Sequence, residues 1–523
     1  MLFPVALVRS LRQHPYHVAA ALFFIIAGAV FYVPYLSNLP TGIHTWAQCD
    51  RLALAINYYD YGFHFLTPRT YSLSSIGGIT GVEFPLQAYL AALGGLVFGR
   101  GSIVTLFRLL DVAMTVLGFF YLFRLIYERT GHFVAGLLPG AFLLASPFFA
   151  FYAGNFLPDP FSLSLSFVGF YYWLRFFEDR RFRDLQVAVL VFALAGLVKT
   201  TIALYFGAVV GITIGWAFLQ PDLLQIHERR QFLVTAALGA GFIVFFFLHN
   251  TSLNETYQSW LFLTKPNPAQ DEEVWHNVLF YIRKNWVAEY ATNTQYRMLA
   301  ICGALFVVFL RPNLRRYLPL TLLLLASGGI AYVMVQLMGG QLGGHDYYMI
   351  CIMGPSAVLV LVLALLNVGR YAGVLRYATS LGLGVLLVFL MANGYKRLNR
   401  RMSDDYPPFS PYSHVWMRDG AAELAAVGVP KTATILFFND QAPNVPLVFF
   451  DRRGIAWRPD NAGAITTADF IDHMAADSLT YLVMSPSSYA QLAPQHAAMA
   501  AEFETVGQQP AMVFRRRNLL LPW

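Results

Sequence analysis

Eleven apolar segments separated by short, arginine-bearing loops restrict this chain to one kind of architecture. They fall at roughly residues 17–36, 104–127, 134–152, 161–176, 185–198, 200–218, 232–250, 297–310, 317–336, 349–367 and 377–393. Several approach or exceed the ~20 apolar residues that cross a bilayer core as a helix. In hydrocarbon every backbone N–H and C=O must find a partner inside the chain, so such segments are helices. Of the 523 residues 57% are hydrophobic and 12% charged, where soluble domains carry about 45–50% and about 25%. The expected fold is therefore an α-helical polytopic membrane protein with about eleven transmembrane helices.

The net charge of +7 comes from basic residues in short clusters between apolar segments. That is the pattern of cytoplasmic anchoring loops, so nucleic acid is not expected as a partner. Arg9 and Arg12, then ERTGH, FEDRRFRD, HERR, RPNLRR and GRYAGVLR, occupy every second connection. The first segment lacks a small-residue cleavage site and reads as a retained helix. One basic run, YKRLNRR at 395–401, falls on the outer side and opposes the rule. Cys49, Cys302 and Cys351 have neither a disulfide framework nor a metal-ligand spacing.

The stretch from Phe84 to Gly99 is apolar but only 16 residues long, about 24 Å of helix. Counting it as a span inverts the basic loops that follow, whereas a helix lying in the interface does not. Residues 37–103 then form a first outer loop with surface helices, and 251–296 a second. Asp50, Glu83, Asp159, Lys199 and the segment GGHDYY at 343–348 share the outer face.

From residue 394 the composition becomes that of a soluble domain. TILFFND, LVFFD, TYLVMS and AMVFRRR read as strands, with TADFIDHMAAD and SYAQLAPQHAAMAAEF as helices between them. The expected organisation is a membrane domain over 1–393 and a small α/β domain over 394–523 on the periplasmic side. The latter shows no glycine-rich phosphate loop and no nucleophile motif.

Ionisable residues near membrane depth are costly and are often functional. Asp50 follows the first span in HTWAQCDRLALAINYYDYG, and its plain structural reading is a solvated or helix-capping acid. Glu83 opens the surface helix. Asp159, between two prolines, reads equally as an N-cap with proline at the first helical position. Together these carboxylates would bind a divalent metal ion or act as general bases. Arg69, Lys199 and His345 supply cations on the same face, although Lys199 also fits a snorkelling side chain and His345 a satisfied loop histidine. Carboxylates beside such cations suit the deprotonation of a hydroxyl while a phosphate departs.

HTWAQCD, INYYDYGFHFLTPR, GVEFPLQAYL, FLPDPFSLSLSFVGFYYWLR, GLVKTTIAL and GGHDYYMICIMGP, in that order through residues 17–367, resemble the GT-C membrane glycosyltransferases. The likeness is to the bacterial branch of lipopolysaccharide-core galacturonosyltransferases, aminoarabinose transferases and, more distantly, protein mannosyltransferases. It implies a polyprenyl-phosphate sugar as donor, a glycan, lipid or protein as acceptor, and catalysis on the outer face of a bacterial inner membrane. By the same resemblance Asp50 is the expected base, and Glu83 and Asp159 are a second acid or metal ligands. Arg69, Lys199, His345 and Tyr347 are expected to handle the lipid phosphate or the acceptor. Two motifs depart from the family: Ala47 stands where members often carry arginine after the tryptophan, and Asp346 follows His345. Asp346 would raise the pKa of His345 or join a metal site, Arg51 would compensate for the missing arginine, and a nearby positive charge would keep Asp50 ionised. Trp46, Tyr58 and Tyr59 suit stacking on sugar faces or interface anchoring equally.

Two rival classes differ in what they require. A lipid or sugar transporter would place charges at the bilayer midplane and show repeated halves with broken helices, and no internal repeat is found. A membrane-anchored sensor would depend on the last ~130 residues and tolerate Asp50→Asn.

Overall fold

The computed structural model describes residues 14–262, 265–403, 406 and 414–517. Its contacts divide the chain into two compact units. The first comprises Met1–Leu36, Arg108–Leu248 and Thr264–Ser403; the second comprises Ser37–Phe107, His249–Leu263 and Asp404–Trp523. The expected first outer loop thus falls in one unit with the C-terminal residues.

All eleven apolar segments lie on helices. Among the described residues seven are long and apolar enough to cross a membrane unaided: Pro15–Tyr35, Arg100–Thr130, Thr200–Leu219, Ile226–Thr256, Leu318–Gln341, Tyr348–Arg370 and Gly373–Arg401. The pair Asn293–Val308 and Leu310–Arg316, bent by 74°, has the length and composition of an eighth if it forms one broken span. The others fall short for visible reasons. The 134–152 segment breaks at Ser146, where Pro147 starts a separate turn. Phe182–Val198 has only 17 residues. Pro158–Asp179 carries Asp159, Ser162, Ser164, Ser166 and Arg175 along its length. This last helix is almost wholly buried, and Gly169 lets the Phe192 ring approach closer than any Cβ would allow.

Four of the basic clusters, ERTGH, FEDRRFRD, RPNLRR and GRYAGVLR, meet at one end of the helical unit. Arg129 pairs with Glu178, Arg376 Nη2 donates to Gly131 O at 2.7 Å, and Asn367 Nδ2 donates to Asn313 Oδ1 at 3.0 Å. Asp159 opens the helix that Glu178 nearly closes, placing it about 29 Å away at the other end.

Within the second unit, residues 434–516 form a five-stranded sheet of order β2-β1-β3-β5-β4. The strands are β1 (Thr434–Phe438), β2 (Arg453–Trp457), β3 (Tyr481–Met484), β4 (Phe503–Gly507) and β5 (Met512–Arg516). The first three run parallel and β5 pairs antiparallel with both β3 and β4. Phe438, Phe470, Met474, Leu482, Leu492 and Phe514 belong to the core against the sheet. TILFFND, TYLVMS and AMVFRRR hold β1, β3 and β5. LVFFD does not form a strand: Val445–Phe449 is a buried helix with Pro446 in its first turn. A fully buried run has no period to tell helix from strand. The helix expected over 488–503 breaks at Ala493–Gln495, around Pro494. β2 and β4 were not expected: RGIAW is short and opens on Arg453 and Gly454, and Phe503 of FETVG falls at the end of the expected 488–503 helix.

Residues 71–73 run beside the β2 edge. Leu73 N donates to Gly454 O at 2.7 Å and Gly454 N to Tyr71 O at 3.1 Å, which covers an edge that would otherwise be open.

Candidate functional site

In the second unit, the Thr45–Tyr61 helix starts after His44, whose φ of 55° turns the chain sharply. Gln48 Nε2 fixes that turn through Thr41 O and Ile43 O, both at 2.9 Å. Asp50 lies half a turn on and is 7% exposed. Asn444 Nδ2 donates to its Oδ1 at 2.8 Å, and the Trp46 indole also donates to it. Burial pushes the Asp50 carboxyl up to about 6, against the opposing pull of Asn444, the Arg51 charge and Trp46. Desolvation thus outweighs the Arg51 charge at Asp50.

Arg51 points to Glu83, Nη2 to Oε2 at 2.6 Å, with its guanidinium 5.1 Å from the centroid of Phe262. Arg69 is placed elsewhere. Its charge bears on Arg453, and Arg453 stacks 4.8 Å over Tyr61, at the far end of the helix from Asp50. Eleven residues of helix separate those ends by about 16 Å.

In the helical unit, Lys199 Nζ and Asp159 Oδ2 are 3.4 Å apart and both side chains are buried. Lys199 is the N-cap residue of the Thr200–Leu219 helix, so it is held rather than snorkelling. Asp159 is not an N-cap; Leu157 is, and Asp159 sits in the first turn after Pro158. Lys199 Nζ lies 5.3 Å from the Tyr348 ring and 5.9 Å from the Tyr347 ring. His345 stacks on Tyr348 with centroids 5.2 Å apart, and its Nδ1 is 3.1 Å from Gln341 O. Lys199, His345 and Tyr347 are thus brought together.

Asp346 accepts from Tyr152 Oη at 2.6 Å and is ion-paired to Arg401. Arg401 Nη1 also donates to Glu289 Oε2 at 2.9 Å. Arg401 ends the YKRLNRR run, and its burial between these carboxylates accounts for this one basic residue lying away from the other clusters. The last helix runs through it, Gly373–Arg401, eight residues beyond 393.

An apolar cavity of about 510 Å³ opens beside this group, lined among others by Phe148, Leu163, Tyr290, Leu299, Met349 and Met353. Among the described residues no three His, Cys, Asp or Glu side chains gather as a metal cluster, and Glu83 and Asp159 each sit against a protein cation. The carboxylates do not fit a ready-made metal site. Asn444, Glu289, Tyr152 and Arg401 were not anticipated as members of these groups. Only Arg401 left a signal, its place in the misplaced basic run.

Residues 83–249 match the family of dolichyl-phosphate-mannose-protein mannosyltransferases. The structure is similar to that of ArnT from Cupriavidus metallidurans bound to undecaprenyl phosphate, with a TM-score of 0.58 and 14% identity over 94% of this chain and 97% of that one. The apo form gives 0.59 at 13% identity. The Archaeoglobus fulgidus oligosaccharyltransferase gives 0.50 at 13% identity over 96% of this chain and 73% of that one. The mycobacterial arabinofuranosyltransferase AftD gives 0.51 at 13% identity, with 96% and 41% covered. No curated protein sequence matches the chain. The chain is a polytopic membrane protein with the fold of the GT-C superfamily of membrane glycosyltransferases.

Proposed function

We propose that the protein transfers a monosaccharide from a polyprenyl-phosphate donor to an acceptor hydroxyl at the periplasmic face of a bacterial inner membrane, with inversion and with Asp50 as general base. The acceptor is a glycan, lipid or protein. The observation that carries the reading is the environment of Asp50, a buried carboxylate near pKa 6. Roughly nine-tenths of such a group is ionised at pH 7, and it is a far better proton acceptor than an ordinary aspartate.

The acceptor oxygen attacks the anomeric carbon as Asp50 takes its proton. The bond from the anomeric carbon to the phosphate oxygen breaks, and its electron pair leaves with the polyprenyl phosphate. Lys199, with His345 and Tyr347, is assigned to binding a phosphate group, which a fixed cation stabilises. Arg69 is assigned to substrate binding away from the proton transfer. Glu83 and Asp159 hold Arg51 and Lys199, and no step is routed through a metal. ArnT has been solved with undecaprenyl phosphate; a prenyl chain is also what the apolar cavity suits by its lining.

The test supplies purified protein in nanodiscs with polyprenyl-phosphate sugars and an envelope acceptor. Transfer of labelled sugar with stoichiometric release of polyprenyl phosphate, and the opposite anomeric configuration in the product, is expected. Retained configuration overturns the direct displacement, and intact donor crossing the bilayer overturns the transferase reading.

A further inference from the structure

The C-terminal α/β domain supplies no residue to the bond-making steps of the proposed transfer. In its sheet the chain leaves β1 for β2 on one side and returns to β3 on the other, so the carboxyl end of β1 is a topological switch point, where such folds place their working residues. Residues 439–444 occupy it. Asn439 has a φ of 70° and donates its N–H to Trp457 O at 2.7 Å. Asn444 is fully buried.

Asn444 stands at the N-cap of the Val445–Phe449 helix but makes no capping bond. An asparagine there normally accepts from the first turn and contributes about 1 kcal/mol. Here that bond is forgone. Asn444 Oδ1 accepts from Ser72 N at 3.0 Å, and Ser72 is held by the run of residues 71–73 along β2. With its oxygen committed to a backbone N–H, the amide presents its NH2 to Asp50. The donor facing Asp50 Oδ1 is fixed by the sheet.

We propose that Asn444 is a positioning residue for the transfer reaction, through which the C-terminal domain aims the Asp50 carboxylate and favours its ionised form. This rests on Asp50 being the base. The other groups that bear on Asp50 are Arg51 and Trp46 on its own helix, and Glu83, which engages Arg51. Cys49 is buried beside Asp50 and also feels Asp440. Asp440 is itself pushed up to about 6 by burial, opposed by the Ala442 N–H that donates to it and by the Arg458 charge.

The test is the pH–rate profile of sugar transfer by full-length protein in nanodiscs. It is measured for the natural protein, Asn444→Ala, Asn444→Asp and Asp50→Asn, each checked for folding by thermal melting. Loss of the amide donor is expected to move the acid limb of Asn444→Ala up by about one pH unit. The maximal rate is expected to fall about tenfold, with an unchanged KM for the donor. Asn444→Asp keeps the shape and sets a second carboxylate against Asp50, so its limb moves further up. If Asn444→Ala melts early, the Asn444→Asp limb alone decides. An acid limb in either folded variant that coincides with that of the natural protein overturns the positioning role. Full activity in Asp50→Asn overturns the base assignment, and the positioning role with it.

Discussion

Asp50 is caught between two demands: burial opposes its charge, and catalysis needs it. Its folded-state pKa stands near 6 against an ordinary 3.8, so the unfolded chain ionises first and stability falls as pH rises through that window. Above it the buried charge costs about 3 kcal/mol, at ~1.4 kcal/mol per pKa unit. Asp50→Asn is therefore expected to raise the melting temperature at pH 7.5 and to leave it unchanged at pH 3.5; a gain of equal size at both pH values contradicts the account. The Asp159–Lys199 pair behaves differently, because each partner leaves a buried charge when the other is removed. Lys199→Met is expected to destabilise by about 3–5 kcal/mol, and the double variant with Asp159→Asn to recover most of that loss. A thermal double-mutant cycle without recovery contradicts the pairing. Asp50, Glu83 and Asp159 were legible in the sequence because acids stand out in an apolar chain. Asn444 was not, since its bond to Asp50 spans 394 positions and an asparagine in a polar loop carries no mark.

At the scale of elements, the last helix shows how a charge pattern records packing as well as topology. Arg401 lies between two carboxylates on different segments, Asp346 and Glu289. Arg401→Met leaves both without this cation and is expected to lower stability by about 3–5 kcal/mol. Arg401→Lys is expected to recover only part, because one ammonium does not match a planar fork with two donors committed. Full recovery in a melting assay contradicts the bidentate geometry. The helices were readable because length and apolar content mark them, the shorter Leu86–Phe98 among them. Val445–Phe449 was misread, since VPLVF is buried on every side and the proline alone hints at a helix start.

For the whole molecule, the order of six motifs carried the fold, although solved structures of that fold are only 13–14% identical to the chain. The grouping of the first outer loop with the C-terminal domain was not legible. It is made by backbone bonds such as Leu73 N to Gly454 O and by side-chain bonds such as those of Tyr71 and Arg100 to Asp451, which span 380 and 351 positions of sequence. That grouping makes the C-terminal residues part of one body with Asp50. The measurement that tests the central claim most directly is the rate of labelled sugar transfer from a polyprenyl-phosphate donor by the natural protein and by folded Asp50→Asn. The account predicts transfer with release of polyprenyl phosphate in the first and a loss of about a thousandfold in the second. Transfer by Asp50→Asn at the natural rate would contradict it.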